Sequence, residues 1–214
     1  MQKRYLRGLS DMKNFVYEFE GSLYINLTNK CSNNCEFCIR NFMDGVGEDN
    51  LWLDLEPTYE QVIEDLSLFP LKKYKEIVFC GFGEPTFRLS ILVQVASYLK
   101  RKGFKTRLNT NGQCDLINKR NDSAKILAKC IDHISISLNA SNKEFYDEIC
   151  RPLPQYKDNA YAAVLQFIKD CVAEGMYVTC SVVDFIGEEE VEACRQLTES
   201  LGAHFRARET INAE

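Results

Sequence analysis

Short apolar runs alternate with amphipathic segments along almost the whole chain, and this alternation limits the possible folds more than any other feature. About six runs have the length and composition of buried strands: 22–27, 76–80, 105–110, 133–138, 176–183 and 203–208. Helical segments fill most of the intervals: 58–69, 89–102, 123–130, 141–151, 159–174 and 188–201. Strands separated by helices predict βαβ units and a mostly parallel sheet.

Local signals place several helix ends. Thr58-Tyr59-Glu60-Gln61 and Ser141-Asn142-Lys143-Glu144 both match a capping box, in which two side chains satisfy N–H groups at the start of a helix. Pro70 ends the first of these helices, because proline cannot continue the hydrogen-bond ladder. Gly175 follows the helix over 159–174 and is suited to end it.

The number of repeats restricts the architecture. Six strand–helix units fit either a partial (β/α)6 barrel or an open doubly wound α/β sheet, since a closed barrel needs eight. No linker, low-complexity segment or internal repeat divides the chain. We therefore expect one domain over residues 1–214, with residues 1–21 as a lead-in segment that is irregular over 11–20.

The chain has ten cysteines, but only Cys31, Cys35 and Cys38 are closely spaced, as CX3CX2C. In a chain that can form its own core, such a cluster favours metal binding over disulfides. Three neighbouring thiolates can hold one face of a [4Fe–4S] cluster. Structural zinc is the alternative, but it needs four ligands, and His133 and His204 lie far from the triplet in sequence. The other seven cysteines are read mostly as buried thiols.

The carboxyl ends of the predicted strands carry polar residues, where α/β folds bind ligands. Gly81-Phe82-Gly83-Glu84 follows the second strand; its glycines would let a ligand approach the backbone, and its carboxylate is suited to bind an ammonium group. Amide and hydroxyl side chains end the next two strands: Asn109, Asn111, Ser137 and Asn139. Taken singly, each stretch is also compatible with an ordinary turn.

Together, these strand ends resemble the radical S-adenosylmethionine (SAM) superfamily over residues 22–208. CX3CX2C is the signature of that superfamily, and GFGEP is similar to its GGE motif, with Phe82 in place of the second glycine. Phe37 matches the aromatic residue usual between the last two cysteines. The stretches YINLTNKCSNNCEFCIRN, VFCGFGEPTFRLS, RLNTNG and ISISLNA are most similar to the TatD-associated radical SAM proteins. The resemblance implies an α/β fold, a partial (β/α)6 TIM-like barrel.

The resemblance also implies a role for each matching residue. Cys31, Cys35 and Cys38 would ligate the cluster, whose fourth iron would be chelated by the amino and carboxylate groups of SAM. The SAM amino group would be bound by Glu84 and the backbone of Gly81, Phe82 and Gly83. The remaining SAM contacts would come from Asn109, Asn111, Ser137 and Asn139 at the ribose and carboxylate, from Phe37 and the backbone around Val182 at the adenine, and from Arg151 at the carboxylate.

The reaction implied is reductive cleavage of SAM to methionine and a 5′-deoxyadenosyl radical, which abstracts hydrogen from a substrate. It requires an electron donor such as flavodoxin or ferredoxin, and the subgroup name implies an association with a TatD-type hydrolase. Two alternatives stay open. One is an activase that installs a glycyl radical on a partner protein, and the other is a non-catalytic iron–sulfur or zinc binding module.

Composition restricts location and partners. No apolar run approaches the roughly 20 residues of a membrane span, and residues 1–13 lack the apolar segment of a secretory signal, so we expect a cytoplasmic protein with no membrane partner. The net charge of −5 argues against binding of a long nucleic acid, although it is compatible with a local basic groove. Because six strands leave one side of a barrel open, we expect a large substrate or a partner protein to complete that wall.

Overall fold

The computed structural model describes residues 15–47 and 49–209. The strands are β1 (Val16–Phe19), β2 (Ser22–Ile25), β3 (Gly45–Val46), β4 (Asp49–Asn50), β5 (Ile77–Phe79), β6 (Thr106–Thr110), β7 (His133–Ser137), β8 (Tyr177–Val183) and β9 (His204–Arg208). The helices are α1 (Tyr59–Ser67), α2 (Leu89–Arg101), α3 (Cys114–Asn118), α4 (Ser123–Leu127), α5 (Lys143–Cys150), α6 (Ala160–Ala173) and α7 (Glu188–Ser200). Within the described ranges, no helix is long and apolar enough to cross a membrane.

The strand order decides between the two architectures. Within residues 15–47 and 49–209, seven strands form one sheet in the order β1-β2-β5-β6-β7-β8-β9, and all neighbours from β2 onward pair in parallel. The parallel strands therefore follow chain order without the reversal that a doubly wound sheet contains. Right-handed crossovers that all advance in one direction place their helices on one face of the sheet. The strand order therefore confirms the partial barrel.

The two faces of the sheet differ in polarity. One face packs against the helices and consists of buried apolar side chains: Ile25, Phe79, Leu108, Ile134, Ile136, Val178 and Val182. The opposite face, which we call the inner face, carries polar side chains in register across neighbouring strands: Arg107, Asn109, His133, Ser135, Ser137, Thr179, Ser181, Arg206 and Arg208. The fold thus places a polar concave surface inside a helical outer layer.

The lead-in is not irregular where the structure describes it, and that prediction was wrong. β1 pairs antiparallel with β2, and the two are joined through Glu20 and Gly21, which have φ values of +47° and +75°. Two successive left-handed residues make the two-residue turn that matches strand twist. The Glu-Gly pair between alternating apolar residues was the signal for this hairpin. Residues 1–14 of the predicted lead-in lie outside the described residues.

The two predicted capping boxes have different outcomes. The first is confirmed: the Gln61 N–H donates to Thr58 Oγ1 at 3.3 Å, and the Thr58 N–H donates to Gln61 Oε1 at 2.9 Å. The second was wrong, because Asn142 caps α5 by accepting from the Phe145 N–H at 2.9 Å. Ser141 donates its N–H and hydroxyl to Glu190 of α7 instead, at 2.6 and 3.0 Å. The Glu190 carboxylate, although distant in sequence, thus binds Ser141, the residue that was predicted to cap α5.

Candidate active site

The three clustered cysteines lie on the loop that follows β2, at the carboxyl edge of the sheet. Cys31, Cys35 and Cys38 are free thiols and partly exposed. Among the other seven cysteines, those buried in the interior are Cys114, Cys130, Cys150, Cys171, Cys180 and Cys194, while Cys80, at the end of β5, is partly exposed. The triplet is therefore distinct from the thiols that fill the core.

The backbone of this cysteine loop is tied to the end of α5. The Asn34 N–H donates to the Arg151 carbonyl at 3.0 Å, and the Glu36 N–H donates to the Ile149 carbonyl at 3.0 Å. The Leu153 N–H donates back to the Ser32 carbonyl at 2.8 Å. These bonds hold the segment on both sides of Cys35 against a rigid element.

A buried polar network adds side-chain contacts beneath the triplet. Gln113 Nε2 donates to Asn33 Oδ1 at 2.8 Å and to the Tyr146 hydroxyl at 3.0 Å, and Asn33 Nδ2 also donates to that hydroxyl at 3.0 Å. Asn111 Nδ2 donates to Ser32 Oγ at 2.8 Å and lies 3.9 Å from Cys31 Sγ. The sequence singled out Asn111 but gave no signal for the network, whose members are far apart in the chain. The loop after β6 thus positions the first cysteine.

The glycines of the GFGEP stretch make close contacts within the protein. A Cβ at Gly83 would lie 2.3 Å from the Thr28 carbonyl oxygen and 2.6 Å from that of Lys30. A Cβ at Gly81 would lie 2.0 Å from Asn26 Oδ1. Both positions lack a side chain because the stretch packs directly on the start of the cysteine loop, and the Glu84 N–H donates to the Lys30 carbonyl at 2.8 Å. The Cα atoms of both glycines therefore pack closely against other protein atoms.

Substituting Gly83 by alanine is therefore expected to disturb the cysteine loop. The Cβ clash requires a backbone shift that costs about 1–3 kcal/mol, and reconstituted protein should bind less iron. A lowered melting temperature and the iron content measure the two effects.

Gly103→Ala is the matched control. Its φ of +79° strains any side chain, but no atom lies within 4 Å of the added Cβ. This variant should lose about 1–2 kcal/mol of stability and keep its iron. Equal iron content in the two variants would contradict the role of Gly83 in positioning the loop.

Glu84 is buried and almost fully hydrogen-bonded within the chain. Its Oε1 accepts from the Thr86 N–H at 3.1 Å and from the hydroxyls of Thr86 and Thr110 at 2.7 and 2.8 Å. Its Oε2 accepts from the Asn111 N–H at 2.6 Å. Burial raises the pKa of this carboxyl, and these hydrogen bonds act in the opposite direction. A carboxylate oxygen has two lone pairs, so Oε2 can accept one further donor.

Two aromatic pairs involve residues of the cysteine loop and the GFGEP stretch. The Phe37 ring lies 5.5 Å from the Phe185 ring, which belongs to the turn after β8, three residues beyond Val182. Phe82 is buried and meets Trp52 edge-on, with ring centroids 5.0 Å apart. Sequence reasoning missed Phe185, whose only signal was an aromatic residue shortly after a predicted strand. The structure therefore brings Phe37 close to the end of β8, where the adenine contact was predicted.

The other candidate residues are more dispersed. Asn109 accepts from Arg107 Nη1 at 3.0 Å on the inner face, while Ser137 lies beside Ser181 in register. Asn139 is buried with a φ of +60°, and its Oδ1 lacks a hydrogen-bond partner within the described part of the chain. Arg151 is exposed and pairs with Glu36 of the cysteine loop at 2.6 Å. Asn139 Oδ1 can therefore still accept a hydrogen bond, whereas Arg151 already has an anionic partner.

The thiols of the triplet are protonated unless a cation stabilises them. Burial raises the pKa of Cys31 to about 12 and also raises that of Cys38. A hydrogen bond with Cys150 and burial raise the pKa of Cys35. Since only thiolates ligate metals, binding of iron must displace these protons.

The arrangement fits a cubane cluster. The thiolates of a cubane bind different iron atoms and need not converge on one point. Three free, partly exposed thiols lie on one loop, which suits a cluster that takes cysteine ligands, and Asn111 and Glu84 lie beside them.

Comparison with known proteins agrees with this geometry. The model of the radical SAM superfamily matches residues 25–200. A Methanocaldococcus jannaschii protein, whose name proposes a glycyl-radical enzyme activating enzyme, is 24% identical over 198 residues, covering 89% of this chain and 73% of its own length.

Two solved structures have the same fold. Streptococcus suis SuiB, solved with SAM bound, has a TM-score of 0.63 and 17% identity over 92% of this chain and 40% of its own. The maturase HydG from Carboxydothermus hydrogenoformans has a TM-score of 0.63 and 16% identity over 90% of this chain and 44% of its own. The chain thus spans less than half of each.

The family match covers most of the chain, including the cysteine triplet, the GFGEP stretch and every predicted strand end up to Val182. The sheet order and the position of the triplet at its carboxyl edge agree with that match. The chain belongs to the radical SAM superfamily, whose cofactors are a [4Fe–4S] cluster and S-adenosylmethionine.

Proposed function

We propose that this chain is a radical SAM enzyme in which Cys31, Cys35 and Cys38 ligate the [4Fe–4S] cluster. The observation that carries the proposal is the position of three free, partly exposed thiols at the carboxyl edge of a partial barrel, next to Asn111 and Glu84. When bound, the reduced cluster supplies the electron that cleaves SAM to methionine and a 5′-deoxyadenosyl radical, which takes a hydrogen atom from the substrate.

The chain's own residues bind and orient SAM in this proposal. Glu84 Oε2 accepts a hydrogen bond from the SAM ammonium group beside the one from the Asn111 N–H. Backbone groups of Gly81, Phe82 and Gly83 complete that contact. Asn109, Asn111, Ser137 and Asn139 contact the ribose and carboxylate, and the orphaned Asn139 Oδ1 supports such a role for Asn139. Phe37, with Phe185 packed on it, borders the adenine.

The test is anaerobic incubation of reconstituted protein with SAM and dithionite. We expect 5′-deoxyadenosine and methionine in equal amounts, detected by chromatography and mass spectrometry. A cluster that only carries electrons or stabilises a fold would leave SAM intact. That result would favour the non-catalytic alternative.

An activase that acts on a partner protein is the second candidate function. The name of the M. jannaschii relative favours it, because the match covers 89% of this chain. The open order of the sheet, with β1 and β9 as its edges, supports access for a protein segment or another large substrate. Electron paramagnetic resonance of candidate partners after incubation with the enzyme and SAM would detect a glycyl radical.

The cellular setting follows from the proposed chemistry. Flavodoxin or ferredoxin is the proposed electron donor. All ten cysteines are free thiols, which suits a reducing compartment such as the cytoplasm. The resemblance to TatD-associated proteins adds a proposed association with a TatD-type hydrolase.

A further inference from the structure

The inner face of the barrel is unusually polar. The interior of a TIM-type barrel is normally filled by branched apolar side chains. Here the corresponding positions of β6, β7 and β8 carry Asn109, Ser135 and Thr179 in one row, and the next row contains Ser137 and Ser181. Such a surface is suited to contact a polar molecule and not to form a dry core.

Among the described residues, three arginines lie on this face, and they differ in their partners. Arg107 is neutralised by Glu76, whose Oε1 lies 2.7 Å from Nη2 and 3.0 Å from Nε. Arg206 and Arg208 of β9 have no carboxylate partner among the residues that the structure describes, and the Arg208 Nε is buried without a hydrogen-bond partner there. Within the part of the chain that the structure describes, two cations without a carboxylate partner thus stand together, and the net charge of the protein is −5.

The surroundings of Arg208 make its charge costly without an anion, whereas Arg206 is exposed. Burial lowers the pKa of Arg208, and the neighbouring Arg206 cation lowers it further, while the thiols of Cys80 and Cys35 act in the opposite direction. Arg208 therefore lies near both the end of β5 and the cysteine loop. A partly desolvated cation beside a like charge is unfavourable unless an anion binds to it.

Register places hydroxyl groups next to the arginines. Arg206 is level with Ser181 on β8, which is level with Ser137 on β7. Arg208 is level with Val183, at the carboxyl end of the strand. Guanidinium groups bind carboxylates and phosphates with two parallel hydrogen bonds, and serine hydroxyls can donate to the same oxygens.

We propose that Arg206 and Arg208 bind an anionic group of the substrate, a carboxylate or a phosphate, at the carboxyl edge of the inner face. This inference rests on the proposed function, because it assigns the substrate class of that same site. The arginines hold the anion beside the cysteine loop and so orient the part of the substrate that reacts.

The experiment titrates cluster-loaded protein with sodium phosphate and, separately, with citrate, at an ionic strength held constant with KCl. An anion that binds the folded state raises the melting temperature. Wild-type protein should show this rise, and Arg206→Gln and Arg208→Gln should each weaken the apparent affinity roughly 10-fold. Arg208→Lys should keep part of the rise, and Arg101→Gln, an exposed arginine on α2, should keep all of it.

A second arm measures SAM affinity in the same variants, because the SAM carboxylate is another anion. Unchanged SAM affinity, together with lost phosphate and citrate binding, supports a substrate site. A roughly 10-fold loss of SAM affinity would assign the arginines to SAM and overturn the proposal. So would the absence of a wild-type response to either anion, or an equal response in the glutamine variants. Failure of the proposed function is read separately, as wild-type protein that makes no 5′-deoxyadenosine.

Discussion

Replacing Cys31, Cys35 or Cys38 with alanine is expected to abolish assembly of the [4Fe–4S] cluster. Wild-type protein reconstituted under anaerobic conditions should bind about four irons and four sulfides, with broad visible absorbance that bleaches on reduction. Each alanine variant removes one of only three protein thiolates, so no complete face of the cubane remains. Iron and sulfide analysis together with the absorbance spectrum measures the loss.

Two other cysteines provide controls for this experiment. Cys171→Ala removes a thiol buried in α6 and should cost about 1 kcal/mol through the small cavity it leaves, with full iron content. Cys150→Ala is the stricter control, because its thiol is hydrogen-bonded to Cys35 but lies on α5. Loss of iron in both controls, or stoichiometric zinc without sulfide in wild-type protein, would contradict the assignment of the triplet.

Glu84→Gln is expected to weaken SAM binding and to destabilise the protein, with iron content unchanged. The charge-assisted hydrogen bond to the SAM ammonium becomes a neutral one, which costs about 1–3 kcal/mol of binding. In the structure both carboxylate oxygens of Glu84 accept hydrogen bonds. The carboxamide of glutamine replaces one of these oxygens with an NH2 group, which then faces an N–H or O–H donor and cannot accept from it. Unfolding should therefore become easier by about 1–3 kcal/mol. Equilibrium dialysis with labelled SAM and thermal unfolding measure the two effects.

Thr110→Val separates the two roles of Glu84. This change removes one donor to Glu84 Oε1 but keeps the carboxylate charge and the Asn111 contact at Oε2. It should lower stability by about 1 kcal/mol and preserve SAM affinity. If Glu84→Gln bound SAM as tightly as wild type, the GFGEP stretch would be only a structural turn.

Much of the fold was predictable because its signals are local. The period of the apolar residues identified all six parallel strands, and the Thr58 capping box lies within four consecutive residues. The cysteine triplet is likewise a spacing within eight residues. The prediction failed at the lead-in, where the Glu20-Gly21 hairpin signal was overlooked. It also failed at Ser141, where Glu190 of a distant helix binds the residue that would otherwise cap α5.

The contacts that shape the site were decided by tertiary structure. Gly83 is needed because the backbone of the cysteine loop passes within van der Waals distance of it, a contact over more than fifty positions in the chain. Phe185 meets Phe37, and Arg208 lies near Cys35, only because parallel strands bring their carboxyl ends to one edge of the sheet. The local spacing of apolar residues and the turn residues in the sequence determine which side chains end each strand. Which of them touch depends on strand order and register, since these set the distances across the sheet.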